Sequence, residues 1–185
     1  MFLFRRIIKE DEQFKFITGN KAFDELAPNG SLKNYIKQDT INGGKYLTYL
    51  LIERQESGNE LLGLLRFRYT TIKEFLEQLS IASVSEDIKK NIEKLFSLKK
   101  YQVVYLSRIG ISEKYLEMRV SQIISNFFEF LIQRKKQDIM IYAKILEDLT
   151  SVIGSKYRVL GKKHDDNWGN YCLVSKIMEF LPEKE

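Results

Sequence analysis

The sequence is poor in cysteine, with Cys172 as the single one among 185 residues. One cysteine excludes an intrachain disulfide and a zinc site built from several cysteines, and its apolar neighbours predict a buried, inert thiol. Long apolar runs are also missing. The opening MFLFRRIIKEDEQ becomes charged within five residues, and no stretch approaches the ~20 apolar residues of a membrane span. We therefore expect a cytoplasmic protein with no membrane partner and no secretion signal.

Familiar catalytic motifs are scarce as well. His164 is the one histidine, and its Lys-Lys-His-Asp-Asp neighbourhood favours an exposed turn over a catalytic role. The sequence has no Ser-His-Asp order, no cluster of metal ligands and no complete glycine-rich phosphate motif. It also has no internal repeat or linker, and 44% of its residues are hydrophobic. We therefore predict a single domain, 1–185, with a substantial core and no metal site.

Basic residues outnumber acidic ones, which gives a formal net charge of +5. Between Glu86 and Lys136 the chain holds eleven basic and six acidic residues, which equals the whole excess. These lysines and arginines can form an ordinary solvated face, or they can attract an anionic cofactor or a polyanionic acceptor. If they attract a polyanion, a nucleic-acid-binding module is an alternative function for this chain, although no interleaved aromatic and basic motif supports it.

The stretch that organises the chain runs from Val103 to Lys136. Its first part, as far as Ile111, is nearly continuously apolar, which is typical of a strand covered on both faces. A polar segment follows, and from Val120 apolar residues recur at helical spacing, with Ser121 as the expected cap. A helix N-terminus carries unpaired amides and about half a positive charge. Together with Arg119, this junction is therefore a candidate anion site.

Within this stretch, LSRIGISEKYLEMRVSQII resembles the central strand, glycine-rich loop and helix of the GCN5-related N-acetyltransferases (GNAT). The pyrophosphate-binding loop is degenerate, since Glu117 and Arg119 stand at its first two glycines and Ser121 alone keeps the small size. The resemblance implies an α/β (α+β) fold with a mixed, mostly antiparallel central sheet flanked by helices. It also implies acetyl-CoA as co-substrate. The implied cofactor-binding residues are Ile109, Gly110, Ile111, Met118, Arg119, Val120, Ser121 and Gln122.

The same resemblance implies that a strand backbone pairs with pantetheine and that loop amides hold the pyrophosphate. In many members a tyrosine before the last hairpin is the acid for the leaving thiolate, and Val152 stands at that position. Tyr142 or Tyr157 is the expected substitute, although each is more often a core residue. Glu53 is either a general base or the ion-pair partner of Arg108, which lies in the centre of a predicted buried strand.

The implied activity is the transfer of an acetyl group to a primary amine by direct attack. The acceptor stays open among small-molecule, protein and tRNA amines. The region from Phe16 to Glu53 is loosely similar to the opening of the toxin-type members, which act on aminoacyl-tRNA. The other alternative is a catalytically silent GNAT-like protein with a binding or regulatory role.

The remaining elements follow from apolar patterning. We expect strands at Phe2–Ile8, Tyr46–Glu53, Leu61–Thr70 and Asp138–Ala143, and a final hairpin of Tyr157–Lys162 and Tyr171–Met178. The expected helices are Lys21–Leu26, Ser31–Lys37, Ile72–Leu79, Ile88–Leu98 and Ile145–Ile153. The third and fourth of these helices exceed what the resembled fold needs. They are interpreted as an insertion that shapes the acceptor side or a homodimer contact.

Overall fold

The computed structural model of the protein describes residues 2–6, 45–56, 58–111, 120–147, 150, 157–166 and 169–181. Seven strands and three helices lie in these ranges. In chain order they are β1 (Phe2–Arg6), β2 (Leu47–Gln55), β3 (Gly58–Thr70), α1 (Ile72–Ile81), α2 (Glu86–Leu98), β4 (Gln102–Ile111), α3 (Val120–Lys135), β5 (Ile139–Leu146), β6 (Arg158–Asp165) and β7 (Gly169–Met178). The expected helices Lys21–Leu26 and Ser31–Lys37 lie outside the described residues.

The strands form one seven-stranded sheet in the order β1-β2-β3-β4-β5-β7-β6. The pairs β1–β2, β2–β3, β5–β7 and β6–β7 are antiparallel, whereas β4–β5 is parallel. A parallel pair needs a long crossover connection, and the connection between β4 and β5 contains α3. The expected fold class, a mixed and mostly antiparallel sheet with helices, is therefore confirmed.

Most of the predicted elements in the described residues are confirmed. The strands β2 and β3 form the expected hairpin, in which Gln55 faces Gly58. The helices expected at Ile72–Leu79 and Ile88–Leu98 are α1 and α2. The helix expected from Ile145 is wrong at its start, because Ile145 and Leu146 still belong to β5 and pair with β7. A short apolar run such as this one fits a strand and a helix equally well.

The described residues divide into two compact units. The first takes those within Met1–Arg68 and Ser107–Met118, and the second those within Tyr69–Leu106 and Arg119–Glu185. Each unit is described by itself. The single domain 1–185 stays a prediction.

The first unit is built on the antiparallel strands β1, β2 and β3. Phe4 of β1 faces Leu51 of β2, and the ring of Tyr49 stacks on Phe67 with centroids 5.8 Å apart. Successive residues of a strand point to opposite faces of the sheet. Consecutive residues of β3 are nevertheless buried, so that both of its faces are covered. The buried apolar residues of this strand are Leu61, Leu62, Leu64, Leu65 and Phe67.

The second unit has an apolar core between the helices α1 and α2 and the sheet. The helix α1 begins after Thr71, whose hydroxyl accepts a hydrogen bond from the backbone N–H of Glu74 at 3.1 Å. Phe75 and Leu79 lie four residues apart, so that both side chains point to one face of the helix. The apolar cluster comprises Phe75, Leu79, Ala82, Val84, Ile92, Tyr101, Val103, Met140, Tyr142, Leu160 and Leu173.

The strand β6 lies very close to the turn that follows α1. A Cβ atom at Gly161 would lie 2.5 Å from the carbonyl oxygen of Ala82 and 2.8 Å from Cγ2 of Val84. Neither distance is compatible with a side chain, so that only glycine lets this strand and this turn approach each other.

A charged group links the end of α2 to β5 and to the segment after β7. Lys99 Nζ lies 2.7 Å from Asp138 Oδ2 and 3.1 Å from Glu179 Oε1. The backbone N–H of Phe180 donates to Asp138 Oδ1 at 2.6 Å. The Lys99 ammonium and this N–H hold the pKa of the Asp138 carboxyl below its usual value, and the two carboxylates raise the pKa of Lys99.

Candidate functional site

The parallel pair β4–β5 is the first element of the candidate site. Its register runs from Gln102 opposite Ile139 to Leu106 opposite Ala143. The strand β4 continues from there to Ile111, so that the residues predicted to pair with pantetheine, Ile109, Gly110 and Ile111, are its last three. Their placement in a strand gives the backbone the extended conformation that such pairing requires.

The helix α3 is the second element. It begins at Val120, so that Val120, Ser121 and Gln122 form its first turn, and Ser121 is inside the helix and does not cap it. The amides of a first helical turn have no partner within the helix. Gln122 is exposed, and its Nε2 donates to Asn126 Oδ1 at 2.9 Å. Met118 and Arg119, the other two predicted phosphate-binding residues, lie outside the described residues.

The buried face of α3 agrees with the predicted periodicity. Its buried apolar residues are Ile123, Ile124, Phe127, Phe128, Leu131 and Ile132. Ser125 is also buried, and its hydroxyl oxygen accepts a hydrogen bond from Nζ of Lys176 in β7 at 2.8 Å. This contact joins the buried face of α3 to β7.

Tyr157, one of the two candidate acids, immediately precedes β6. The residue is 8% exposed, and its hydroxyl has no hydrogen-bond partner in the described part of the chain. Burial raises the pKa of this phenol. Nζ of Lys176 lies 5.5 Å from the centroid of the ring. The phenol is therefore a weaker acid than a solvated tyrosine, and what qualifies it as a candidate is a hydroxyl without a partner in the described residues.

Tyr142, the other candidate acid, is a member of the apolar cluster and is 1% exposed. Its ring lies between Phe75, at a centroid distance of 4.8 Å, and Tyr105, at 5.1 Å. Rings packed at these distances contribute to stability beyond the area they bury. The environment of Tyr142 is that of a core residue, which makes it a weaker candidate acid than Tyr157.

Glu53, the candidate base, is half-buried in β2 and faces Phe2 of β1 and Glu60 of β3. The expectation that Arg108 is a buried arginine is wrong, because Arg108 is half-buried. The buried arginine is Arg66 of β3, which is 6% exposed and donates from Nη1 to Ser107 Oγ at 3.2 Å. Sequence reasoning missed it, although a charged residue next to the apolar run LLGLL is a visible signal.

Two other sequence-based interpretations concern residues outside this arrangement. His164 is exposed as expected, and its Nδ1 lies 2.9 Å from Asn170 Oδ1. Cys172 is fully buried, and burial raises the pKa of its thiol, in agreement with an inert cysteine.

In the ranges described, three or more His, Cys, Asp or Glu side chains nowhere come together as a metal site would require. Likewise, none of the three described helices has the length and apolarity needed to cross a membrane.

Comparisons with known proteins identify solved structures that share this architecture. No family model matches the chain, and no curated protein matches it significantly. Solved structures do match. NAA60 of Arabidopsis thaliana, in complex with acetyl-CoA, is 15% identical with a TM-score of 0.59, over 96% of this chain and 99% of that chain. A protein of Desulfovibrio desulfuricans, named as a candidate acetyltransferase of the GNAT family, is 6% identical with a TM-score of 0.60, over 98% and 100%.

A third match has a different named activity. FeeM, an N-acyl amino acid synthase from uncultured soil microbes, is 9% identical with a TM-score of 0.56, over 99% of this chain and 92% of that chain. At such low identities a structural match establishes the fold and not the activity. The chain has the fold of the GNAT acetyltransferases.

Proposed function

We propose that this protein is an N-acetyltransferase that transfers the acetyl group of acetyl-CoA to a primary amine by direct attack, without a covalent enzyme intermediate. The observation that carries the proposal is the succession of the parallel pair β4–β5 and the helix α3 on a fold shared with acetyltransferases. One of those similar structures holds acetyl-CoA. The acceptor classes are small-molecule, protein and tRNA amines.

The residues proposed to hold acetyl-CoA lie at the end of β4 and at the start of α3. The backbone of Ile109 to Ile111 pairs with the pantetheine arm, because its extended conformation can exchange hydrogen bonds with the two amides of that arm. The amides of Met118 to Gln122 bind the pyrophosphate through the partial positive charge of a helix N-terminus. Arg119 supplies a full charge that offsets the missing glycines.

A residue of this chain is proposed for each step of the acetyl transfer. Bound acetyl-CoA supplies the thioester. The amine nitrogen forms a bond to the carbonyl carbon while the carbon–sulfur bond breaks, and an amide near Ile109 donates to the carbonyl oxygen. Glu53 accepts the proton that the amine loses, directly or through water. Tyr157 gives its hydroxyl proton to the leaving sulfur, because its hydroxyl makes no hydrogen bond in the described residues that would compete with the sulfur.

Turnover is tested by the release of the free CoA thiol from acetyl-CoA in the presence of a panel of primary amines. We expect release that depends on the amine and that falls about a hundredfold in kcat in Tyr157→Phe. Tyr142→Phe is the matched control, because it removes the same hydroxyl from a ring packed in the core. A larger loss of kcat in Tyr142→Phe than in Tyr157→Phe would reverse the assignment of the acid.

The main alternative is a catalytically silent GNAT-like binding or regulatory protein. The replaced loop glycines, Val152 at the usual tyrosine position and the tight packing of Tyr142 favour it. Such a protein binds acetyl-CoA but releases no thiol with any amine. The toxin-type activity predicts instead that aminoacyl-tRNA is acetylated and that free amines are not.

A further inference from the structure

One face of β2, β3 and β4 carries polar side chains where the neighbouring residues are leucines. Thr48 of β2 lies directly opposite Arg66 of β3 in the antiparallel register. Residues opposite each other in such a pair project from the same face of the sheet, with their Cβ atoms about 5 Å apart. Arg66 in turn contacts Ser107 of β4. Three adjacent strands therefore each contribute one hydrogen-bonding side chain to the same place.

Arg66 is held in a defined orientation. Its Cζ lies 3.8 Å from the centroid of the Tyr46 ring, and its Nη1 donates to Ser107 Oγ at 3.2 Å. Arg68, two residues along the same face of β3, lies 5.9 Å from the same ring centroid. A guanidinium stacked on an aromatic ring keeps its in-plane N–H groups directed outwards from the ring edge. Two guanidinium groups of β3 therefore lie beside the same aromatic ring on this face.

Thr48 is the second, independent observation. The residue is 3% exposed, and its Oγ1 makes no hydrogen bond to any of the residues that the structure describes. A buried hydroxyl without a partner destabilises a fold, so that its presence beside a buried arginine requires an explanation. A ligand oxygen that accepts from both Thr48 Oγ1 and the guanidinium would satisfy the hydroxyl.

We propose that the polar cluster, defined as Tyr46, Thr48, Arg66 and Ser107, is a subsite for a carboxylate of the acceptor. The proposal rests on the acetyltransferase function and narrows its acceptor to an amine that also carries a carboxylate. The planar guanidinium matches the two oxygens of a carboxylate, and the hydroxyls of Thr48 and Ser107 add donors on either side. Tyr46 and Ser107 are half-buried, so that the cluster is not sealed from solvent.

Calorimetric titration of the full chain, without acetyl-CoA, tests the subsite separately from the activity. The probes are glycine against methylamine, L-leucine against isoamylamine, and aminoethyl phosphate as a second anion. We expect at least one amino acid to bind about tenfold more tightly than its amine counterpart. Tighter binding of aminoethyl phosphate than of both amino acids would overturn the carboxylate in favour of a phosphate, and equal binding within both pairs would overturn the subsite.

Two variants test whether the amino acid binds at the polar cluster. Thr48→Val keeps the shape of the side chain and removes the hydroxyl. Arg66→Lys keeps the charge and removes the paired N–H donors of the guanidinium. Each is expected to weaken binding of the amino acid about tenfold, whereas Arg54→Lys, an exposed change on β2, leaves binding unchanged. Because Arg66→Lys can impair folding, the affinity of Thr48→Val for the amino acid is the deciding measurement. Wild-type affinity in folded Thr48→Val would contradict the proposal.

Thiol release with the same probes separates the two proposals. If the amino acid binds through the polar cluster but no thiol is released with any amine, the acetyltransferase function fails and the anion subsite persists. If thiol is released equally well with amino acids and with their amine counterparts, the function persists and the subsite proposal fails.

Discussion

The apolar cluster of the second unit and the polar cluster of the first unit both contain buried side chains, but the chemical character of those side chains differs. In the apolar cluster every side chain is hydrophobic or aromatic, and Tyr142 is enclosed by rings. The polar cluster contains a buried arginine and a buried threonine hydroxyl that makes no hydrogen bond within the described part of the chain. Burial of apolar area stabilises a fold, whereas burial of unsatisfied polar groups does the opposite. The first cluster is therefore explained by stability alone, and the second is not.

The largest expected effect is the loss of an aromatic side chain from the apolar cluster. Phe75 is fully buried and contacts the rings of Tyr142 and Phe96. We expect Phe75→Ala to lower the free energy of unfolding by about 3–5 kcal/mol, measured by urea denaturation. Phe130→Ala is the matched control, because Phe130 of α3 is 39% exposed. Similar losses in the two variants would contradict the description of the cluster as the core of its unit.

The next effect concerns the contact between β6 and the turn after α1. Gly161→Ala places a Cβ against a backbone carbonyl that cannot rotate away, and we expect it to cost about 1–3 kcal/mol of unfolding free energy. Gly169→Ala separates this steric effect from a conformational one. Gly169 has a φ of +75° with open space around it, so that the loss there, of about 1 kcal/mol, comes from backbone strain alone. Gly169→Asn should recover part of that loss, and Gly161→Asn should recover nothing.

A smaller effect of opposite sign is expected in the polar cluster. Thr48→Val removes a buried hydroxyl that has no partner in the described residues, and we expect it to raise the free energy of unfolding by about 1 kcal/mol. Ser125→Ala is the contrasting change, because it removes a buried hydroxyl that accepts a hydrogen bond from Lys176 and should therefore destabilise the fold. Destabilisation by Thr48→Val would show that its hydroxyl is already satisfied in the folded protein.

The smallest effect depends on pH and arises at the charged group of Lys99, Asp138 and Glu179. The pKa of Asp138 is lowered in the folded state, so that its contribution is present above the ordinary carboxyl pKa of about 4 and is lost as the pH falls through the folded value. We expect Asp138→Asn to lower the urea midpoint at pH 7 and to match the wild type at pH 2. A difference that persists undiminished at pH 2 would exclude the ionised carboxylate as its cause.

The sequence predicts the elements of the second unit well because their signals are local. In α1 and α2 the apolar residues repeat at helical spacing, so that the predicted and observed boundaries agree closely. The stretch around Ile145 has no such local signal. Ile145 and Leu146 fit the spacing of a helix and that of a strand equally well. They form a strand because they pair with β7, which lies far away in the sequence.

The candidate site was less predictable than the fold. Tyr142 and Tyr157 are equivalent in the sequence, since each lies beside a short apolar run. Only the packing of the folded chain separates a ring in the core from one whose hydroxyl has no partner in the described ranges. The pairing of Thr48 with Arg66 depends on the register of β2 and β3, which apolar patterning does not fix to the residue. The sequence does not show that Arg66 is the buried arginine and Arg108 is half-buried, because the burial of an arginine in a strand depends on the whole sheet and not on its immediate neighbours.

The most direct test of the central claim is a calorimetric titration of acetyl-CoA into the purified protein, with Arg119→Glu and Arg158→Glu as a pair of charge reversals. Arg158 is exposed on β6 and has no proposed role, so that its reversal controls for net charge. Micromolar binding that is weakened at least tenfold in Arg119→Glu and is unchanged in Arg158→Glu is the predicted result. Absence of binding to the wild-type protein at millimolar acetyl-CoA would contradict the acetyltransferase function.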